Sequence, residues 1–227
     1  MRSENEPIEY KLGKCNFLGN IFKCTTSTLI PRKDTEKLVI IALELIKNMK
    51  NEIKLMDIGT GTGNIAISIA LKNKNTKIYT SDISEDILEV AKYNVNYYNL
   101  LNRISLFQGD MFKAFKGIGL EGKIDVIICN PPYIPTNKLK TLPKEVTSYE
   151  PIQALQAGPF GLKFFKILIT ESPFFLRKNG LLLFEFGSKQ DGMVNRLITR
   201  NKNFSRIHFY EHDNEKRFVS AICSHGN

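Results

Sequence analysis

Apolar and polar positions along the chain follow two spacings, one typical of strands and the other typical of helices. Short apolar or alternating segments indicate strands, whereas apolar positions three and four residues apart indicate amphipathic helices. This alternation predicts parallel β-α-β units, and therefore a doubly wound α/β sheet. The strand segments are 53–59, 76–83, 103–110, 124–129 and 180–187, and the helical segments are 34–48, 64–73, 84–100, 160–177 and 189–200. We expect a long loop at 134–158 and an interruption of the helix 160–177 at Pro173.

The two ends of the chain depart from this alternation. Near the carboxyl end, the strand-like segments FSRIHFYEH and RFVSAIC are joined by the polar connector DNEK, which suits an antiparallel hairpin. The expected sheet is therefore seven-stranded and mostly parallel. The first 30 residues read as a separate small β-hairpin, so we expect a hairpin or linker unit at 1–30 and a main domain at 31–227.

Composition narrows the class of protein. Of 227 residues, 42% are hydrophobic and 24% are charged, as is ordinary for a globular protein. No apolar run approaches the roughly 18 residues of a membrane helix, and the polar start lacks the apolar centre of a secretory signal. We therefore expect a cytoplasmic protein without a membrane segment. The four cysteines form no C-x-x-C pair and no metal-like group with the three histidines, so we expect reduced thiols and no metal site.

The net charge of +9 has two interpretations. It suits a partner rich in phosphate, such as RNA. However, the chain is heavy in Lys, Asn and Ile, which an AT-rich genome produces by codon bias, and its lysines are scattered rather than concentrated in one block. Direct nucleic-acid binding therefore stays open and is not required.

Polar residues fall at or just after the ends of four successive strands. They are Asp57, Asp82, Asp110 and Asn130. In doubly wound sheets, ligands bind at the carboxyl ends of the strands, near the point where the strand order reverses. This pattern predicts a ligand site at that edge of the sheet.

The loop after the first of these strands, DIGTGTGN, opens a helix. A P-loop would need Lys and Ser or Thr after its last glycine, where the chain has NIA, and a dinucleotide fingerprint would place its third glycine one residue later. The remaining interpretation is a loop shaped for the amino-acid end of S-adenosylmethionine, because glycines allow close approach and a helix amino end favours a carboxylate. Its residues are Gly59, Thr60, Gly61, Thr62 and Gly63.

Two further strand ends supply candidates for the rest of that cofactor. Asp82 lies 19 residues after Gly63 and can accept both ribose hydroxyls of an adenosine. After the third strand, Asp110 can accept from the adenine amino group, and Met111 can cover the ring. Core packing is the competing interpretation of Met111.

The segment DVIICNPPYIP runs from an apolar strand directly into an amide and two prolines. The side-chain oxygen of Asn130 and the carbonyl of Pro131 can accept hydrogen bonds from a substrate –NH2, and Pro131 has no N–H of its own. Pro132 makes the segment rigid, and Tyr133 can stack on a flat group. We call residues 130–133 the NPPY ledge. It predicts a planar –NH2 substrate: an amide, an exocyclic base amine or a guanidine.

Several motifs occur together in a fixed order. Besides DIGTGTG and NPPYIP, the chain contains FLGNIF (17–22), LIPRKDTE (29–36), YEPIQAL (149–155) and FEFG (184–187). In this series the chain resembles the HemK family of protein-(glutamine-N5) methyltransferases, which modify the GGQ loop of class I peptide chain release factors. The resemblance extends over residues 15 to 219. It implies a Rossmann-like class I methyltransferase fold, S-adenosyl-L-methionine as cofactor and S-adenosyl-L-homocysteine as product.

The resemblance also implies roles for individual residues. The glycine loop 59–63 matches the family's cofactor loop, Asp82 its ribose-binding acid, Met111 its adenine-side residue and residues 130–133 its substrate-amide site, with Asn130 facing the cofactor as well. Phe22 and the segment 31–36 match parts that cap the active site. A release factor is the implied protein partner, and we expect a monomer.

The chain departs from the family pattern in two places. Family members usually begin with a helical domain that helps to dock the release factor, whereas this chain starts almost directly at the linker to the catalytic domain. Cys129 stands where the family usually has Ser or another small residue; in its apolar strand it reads as a core residue. Glu36, Glu150 and Glu185 have two interpretations each, as site residues or as structural partners.

Two other functions compete with glutamine methylation. The same ledge would serve a methyltransferase acting on a nucleic-acid base or on a small-molecule amine. A protein that binds the cofactor without catalysis is the third hypothesis, and the intact NPPY ledge and glycine loop argue against it.

Overall fold

The computed structural model describes residues 6–224, so the outer ends of the predicted units 1–30 and 31–227 lie outside the described residues. Seven strands form one sheet in the order β5-β4-β3-β6-β7-β9-β8, and two more form a separate antiparallel pair. The strands are β1 (Lys14–Phe17), β2 (Asn20–Lys23), β3 (Ile53–Ile58), β4 (Thr76–Asp82), β5 (Ile104–Gln108), β6 (Ile124–Cys129), β7 (Leu176–Glu185), β8 (Phe204–His212) and β9 (Glu215–Cys223).

The sheet confirms the predicted fold. β5, β4, β3, β6 and β7 are parallel to one another, and β9 pairs antiparallel with both β7 and β8. The helices are α1 (Ile8–Leu12), α2 (Lys33–Ile46), α3 (Asn64–Lys72), α4 (Glu85–Tyr97), α5 (Lys144–Tyr149), α6 (Lys163–Phe175) and α7 (Asp191–Arg200). Within residues 6–224, none of the helices combines the length and the hydropathy needed to cross a membrane.

Two apolar clusters hold the layers together, one on each face of the sheet. Successive strand residues point to opposite faces, so in β3 Leu55 joins a cluster with α2 and α3, while Met56 joins a cluster with α6 and α7. The central strands β3 and β6 are almost wholly buried. Helices therefore cover both faces of the parallel sheet, and the carboxyl ends of its strands remain available for a site.

The sequence pattern did not predict the two shortest helices, α1 and α5. The helix α1 has five residues and α5 has six, too few for a periodic apolar pattern, so α1 was not predicted and α5 lies in what was expected to be a loop at 134–158. A tertiary contact anchors α1, because the Tyr10 hydroxyl donates to the carbonyl oxygen of Thr28 at 2.7 Å.

Pro173 does not interrupt α6, contrary to the sequence prediction. The helix continues to Phe175. A proline has no N–H to donate to the carbonyl four residues earlier, which here belongs to Ile169. The side-chain amide of Asn201 donates to that carbonyl instead, at 2.7 Å. A side chain beyond the end of α7 therefore replaces the missing backbone donor.

The hairpin of β1 and β2 is joined to the main sheet's helices by Asn94 of α4. This buried side chain accepts from the Lys23 N–H at 2.8 Å, and its amide donates to the Lys23 carbonyl at 3.0 Å and to the Thr62 carbonyl at 2.8 Å. Phe17 and Phe22 of the hairpin are buried in the same apolar cluster as α2 and α3. One asparagine thus ties the hairpin to the glycine loop.

We expect Asn94→Ala to lower the free energy of unfolding by about 2–4 kcal/mol, because it leaves the part-buried backbone groups of Lys23 and the buried Thr62 carbonyl without this partner. Urea unfolding measures this change. Asn96→Ala in the same helix removes an exposed amide and should change stability by less than about 0.5 kcal/mol. Equal effects of the two substitutions would show that the Asn94 contacts contribute nothing.

Candidate active site

The strand order reverses between β3 and β6, and the candidate site lies there. β3 has β4 on one side and β6 on the other, with Ile58 paired to Cys129 at the ends of the two strands. The glycine loop and the NPPY ledge therefore begin at adjacent positions, Gly59 and Asn130. Asp82 ends β4, so the structure brings these three predicted features to one edge of the sheet.

The glycine loop has a backbone that only glycine adopts without strain. Gly59, Gly61 and Gly63 have φ values of 72°, 56° and 82°. A Cβ on Gly59 or Gly61 would meet nothing within 4 Å, whereas a Cβ on Gly63 would meet Ile67 at 3.2 Å and Ala91 at 3.7 Å. The first two glycines thus leave open space beside the loop, and the third allows α3 to pack on α4.

The same loop is held in place from β4. The N–H groups of Gly59 and Thr60 both donate to the Ser81 carbonyl at 2.9 Å. The Thr60 hydroxyl donates to the buried carboxylate of Asp57 at 2.8 Å, and burial raises the pKa of Asp57 to about 7. Gly63, which precedes α3, provides no side-chain cap, and the N–H groups of a first helical turn can receive a carboxylate. One of them, the Ala66 N–H, already interacts with Asp57.

Asp82 presents a fixed carboxylate beside this loop. Its side-chain oxygens accept from the N–H groups of Gly61 at 2.9 Å and Ile83 at 2.8 Å. Burial raises the pKa of Asp82, and these backbone hydrogen bonds offset part of the rise. Each carboxylate oxygen accepts more than one hydrogen bond, so two neighbouring hydroxyl groups, such as those of a ribose, fit this acceptor.

Asp110 and Met111 lie just beyond β5. Asp110 forms an ion pair with Lys113 at 3.0 Å; the Lys113 side chain is largely exposed and that of Asp110 is about half exposed. Met111 begins a 3-10 helix (Met111–Phe115) with a φ of 54°, an uncommon conformation for a residue other than glycine. Its side chain packs partly against the second apolar cluster. Strained residues of this kind concentrate at ligand sites, and the adenine-side roles of both residues stay predictions.

The amide of Asn130 is bound to α2. Its Nδ2 donates to the Thr35 hydroxyl at 2.8 Å, and that hydroxyl donates to Oε2 of Glu185 at 2.8 Å. Glu185, the last residue of β7, has 1% of its surface exposed. Burial raises the pKa of Glu185 to about 7, although the Thr35 hydrogen bond and the charge of Arg217 act in the opposite direction.

Tyr133 is held by several strands and loops at once. Its hydroxyl lies 3.3 Å from Oε1 of Glu185 and 3.3 Å from Nη2 of Arg217, and its carbonyl accepts from the Gln190 side chain at 3.0 Å. Burial and the Glu185 charge raise the pKa of Tyr133 well above its ordinary value, so the phenol stays neutral. The ledge is thus fixed from α2, β7, β9 and the segment before α7.

Gly161 packs directly against the ledge, so a side chain at this position tests whether the ledge must keep its place. Gly161 and Gly158 have φ values of 69° and 78°, so alanine at either costs about 1–2 kcal/mol of backbone strain. A Cβ on Gly161 would also overlap the Tyr133 carbonyl oxygen and lie 2.8 Å from Nε2 of Gln190, whereas one on Gly158 would meet only Lys163, at 3.9 Å.

We expect Gly161→Ala to lower the free energy of unfolding by about 3 kcal/mol or more and to reduce the methyl transfer that the sequence predicts, because the ledge must shift. Gly158→Ala should lower the free energy of unfolding only by the cost of backbone strain and should leave the turnover unchanged. Thermal unfolding and initial rates measured on the two variants check this. Matching losses in both would show that the ledge does not depend on its packing against Gly161.

The other acidic residues with two interpretations now have defined contacts. Oε1 of Glu36 accepts from the Leu18 N–H at 2.8 Å, and the buried Glu150 forms an ion pair at 2.6 Å with Arg32, whose side chain is partly exposed. Both therefore fasten neighbouring segments, and only Glu185 joins the ledge. Cys129 is buried, and its thiol donates to the Ile58 carbonyl at 3.0 Å. Phe22 is buried against Phe17.

Four residues of the site make contacts with the ledge that were not predicted, although Glu185 was a candidate site residue and Thr35 lies in the segment 31–36 expected to cap the site. Thr35 and Glu185 lie in segments that sequence reasoning had selected, LIPRKDTE and FEFG, but their contact with the ledge was not anticipated. Gln190 and Arg217 gave no sequence signal. Across residues 6–224, no group of three or more His, Cys, Asp or Glu side chains is placed to hold a metal ion.

Comparison with known proteins gives a consistent assignment. The family model described as "Methyltransferase small domain" matches residues 40–146. The release factor glutamine methyltransferase of Bacillus cereus is 39% identical over 197 residues, which cover 86% of this chain and 68% of that protein. The protein of the same name from Bacillus subtilis is 33% identical over 230 residues, covering 100% of this chain and 78% of the relative.

A solved structure supports the fold. The crystal structure of the release factor-specific protein-(glutamine-N5) methyltransferase from Alicyclobacillus acidocaldarius superposes with a TM-score of 0.51 at 24% sequence identity. The match covers 86% of this chain and 94% of the other. The sheet and its layers are therefore of the class I methyltransferase type.

Proposed function

This chain belongs to the family of release factor glutamine methyltransferases, and from that premise we propose that it methylates the side-chain nitrogen of the GGQ glutamine in a class I peptide chain release factor. The observation that carries the proposal is the state of Asn130. Its amide nitrogen is occupied by Thr35, and this is the one hydrogen bond of that side chain within residues 6–224. The amide oxygen is left to accept from a substrate –NH2.

We propose S-adenosylmethionine as the cofactor, with the loop 59–63 and Asp82 holding it and Asp110 and Met111 beside its adenine. The residues fit this group because Gly59 and Gly61 leave open space and Asp82 offers a fixed double acceptor. When bound, the cofactor supplies a methyl group activated by a positively charged sulfur.

The chain's own residues position the acceptor nitrogen. Asn130 and the Pro131 carbonyl accept its two N–H groups, so that its electron pair lies in line with the methyl carbon. The loop 59–63 and Asp82 would hold the cofactor, which would supply the methyl group to this nitrogen and retain the electron pair of the broken carbon–sulfur bond. The nitrogen then loses one proton to water, so charge and atoms balance.

Glu185 does not serve as the base in this proposal. Both of its oxygens already interact within the protein, one with Thr35 and the other with Tyr133. Its carboxylate supports the ledge and takes no substrate proton. Catalysis by orientation suits an amide, which becomes acidic only as the methyl group is transferred.

Transfer of labelled methyl from S-adenosylmethionine tests the proposal. We expect label in a GGQ-bearing release factor, located on the glutamine by mass spectrometry, and none in a substrate variant with alanine at that glutamine. DNA, RNA and free amines are assayed in parallel. Label in those acceptors, with none in the release factor, would overturn the proposal.

The remaining expectations follow from this substrate. We propose that the chain acts as a monomer in the cytoplasm, where translation takes place, and that its substrate is recognised as a protein without direct nucleic-acid binding. The division into units 1–30 and 31–227 is likewise a proposal, supported by the separate two-stranded sheet of β1 and β2.

A further inference from the structure

We propose that Thr35, anchored on Glu185, is a positioning residue that fixes which end of the Asn130 amide faces the substrate. The inference deepens the proposed function and rests on it. The contacts that carry it are the bond of 2.8 Å from Asn130 Nδ2 to the Thr35 hydroxyl and the bond of 2.8 Å from that hydroxyl to Glu185. The three residues come from α2, β7 and the end of β6.

The direction of these bonds follows from counting protons. An ionised carboxylate only accepts hydrogen bonds, and a hydroxyl has one proton to donate. Thr35 gives its proton to Glu185, so it can offer Asn130 only a lone pair. The amide must then present its N–H2 end to Thr35, because the reversed amide would place oxygen against oxygen. The Asn130 oxygen is thereby directed away from Thr35, as an acceptor for the substrate nitrogen.

A reversed amide would oppose the reaction. It would turn N–H donors toward a substrate group that itself carries N–H donors, and neither would find an acceptor. Thr35 is 2% exposed, so water does not readily replace its hydroxyl. The Thr35 and Glu185 pair therefore selects the reactive orientation without touching the substrate.

The charge of Glu185 makes this selection depend on pH. The groups that face its carboxylate are Thr35 and Asp34 from α2, Tyr133 from the ledge, and Arg217 from β9, whose Nη2 lies 3.7 Å away. A protonated Glu185 can donate to Thr35 and free the threonine proton for the Asn130 oxygen. The reversed amide then becomes allowed, so kcat should fall as pH decreases below about 7, the pKa to which burial raises Glu185.

Substitutions at Thr35 separate this role from simple packing. Thr35→Val keeps the shape and removes the hydroxyl, so we expect kcat to fall about 30-fold, within the roughly hundredfold cost of a misplaced catalytic group, with little change in KM for S-adenosylmethionine. Thr35→Ser keeps the hydroxyl and should stay within about threefold of the wild type. Thr76→Val is the matched control, because Thr76 is a buried, hydrogen-bonded threonine at the opposite end of β4.

The pH profile adds a readout that packing alone would not move. The limb below about pH 7 should flatten in Thr35→Val and persist in Thr35→Ser. Glu185→Gln cannot titrate and should lose the same limb, so the inference stays testable if Thr35→Val does not fold. The inference is overturned if Thr35→Val keeps kcat within twofold, if Thr35→Ser falls with it, or if the limb persists in Glu185→Gln.

A measurement without any methyl acceptor separates this inference from the proposed function. In protein labelled with 15N-asparagine, the Asn130 side-chain resonance is identified by its loss in Asn130→Ala. We expect its hydrogen-bonded proton to exchange at least about tenfold faster in Thr35→Val than in the wild type. Unchanged exchange would refute the positioning role, whereas a release factor left unmethylated by the wild type would refute only the proposed substrate.

Discussion

Replacing Asn130 by alanine should lower kcat by about a thousandfold while the Kd for S-adenosylmethionine changes by less than about threefold. The Asn130 amide oxygen contributes to catalysis by binding the reacting nitrogen. Loss of one preorganised hydrogen-bonding group at a reacting centre lowers kcat by about 100- to 1,000-fold. The effect should lie near the upper end, because a neutral amide nitrogen reacts only when its electron pair is aimed at the methyl carbon.

Single-turnover methyl transfer and calorimetric titration of the cofactor measure the two quantities separately. Asn137→Ala is the matched control, since Asn137 is an exposed asparagine seven residues further along the same segment. It should leave both quantities unchanged. Near-normal turnover of Asn130→Ala would refute orientation by this amide. A large rise in Kd with unchanged kcat would instead make Asn130 a cofactor residue only.

Replacing Asp82 by alanine should weaken S-adenosylmethionine binding by about a hundredfold. The buried carboxylate is proposed to accept both ribose hydroxyls, and a hydrogen bond to a charged group contributes about 1.5–3 kcal/mol. Its loss also removes the acceptor of the Gly61 N–H and so loosens the glycine loop. Once the cofactor is saturating, kcat should recover to within a few-fold of the wild type.

Asp86→Ala is the control for this prediction, because Asp86 is an exposed acid in the first turn of α4, and its loss changes the net charge equally. Its Kd should stay within about twofold of the wild type. Titration calorimetry and rates at rising cofactor concentration supply both measurements. An unchanged Kd in Asp82→Ala would remove this carboxylate from the ribose site.

The sequence was sufficient for the framework of the site. Apolar periodicity predicted the parallel strands, and the position of a polar residue at each strand end predicted which edge of the sheet carries chemistry. The structure places Gly59, Asp82 and Asn130 at that edge, because neighbouring parallel strands end at the same edge of the sheet. The cofactor and substrate roles of these residues stay predictions until they are measured.

The contacts that hold the NPPY ledge in place could not be predicted from the sequence. Thr35 and Asn130 are 95 residues apart, and Arg217 lies 84 residues from Tyr133. Contacts of this kind depend on how far a helix is rotated against a sheet and on side-chain rotamers, and neither leaves a periodic signal along the chain. The five-residue α1 escaped prediction for a related reason, because tertiary contacts rather than local pattern stabilise it.

The proline in α6 has a consequence for how this sequence can change over time. Asn201 completes a backbone hydrogen bond that Pro173 cannot make, so the two positions, 28 residues apart, form a single unit of selection. A lineage that replaced the proline would regain a backbone N–H donor for the Ile169 carbonyl, and the hydrogen bond from Asn201 would no longer be needed. A lineage that lost the asparagine first would leave the Ile169 carbonyl without a hydrogen-bond donor. Replacing Pro173 before Asn201 therefore costs less stability than the reverse order.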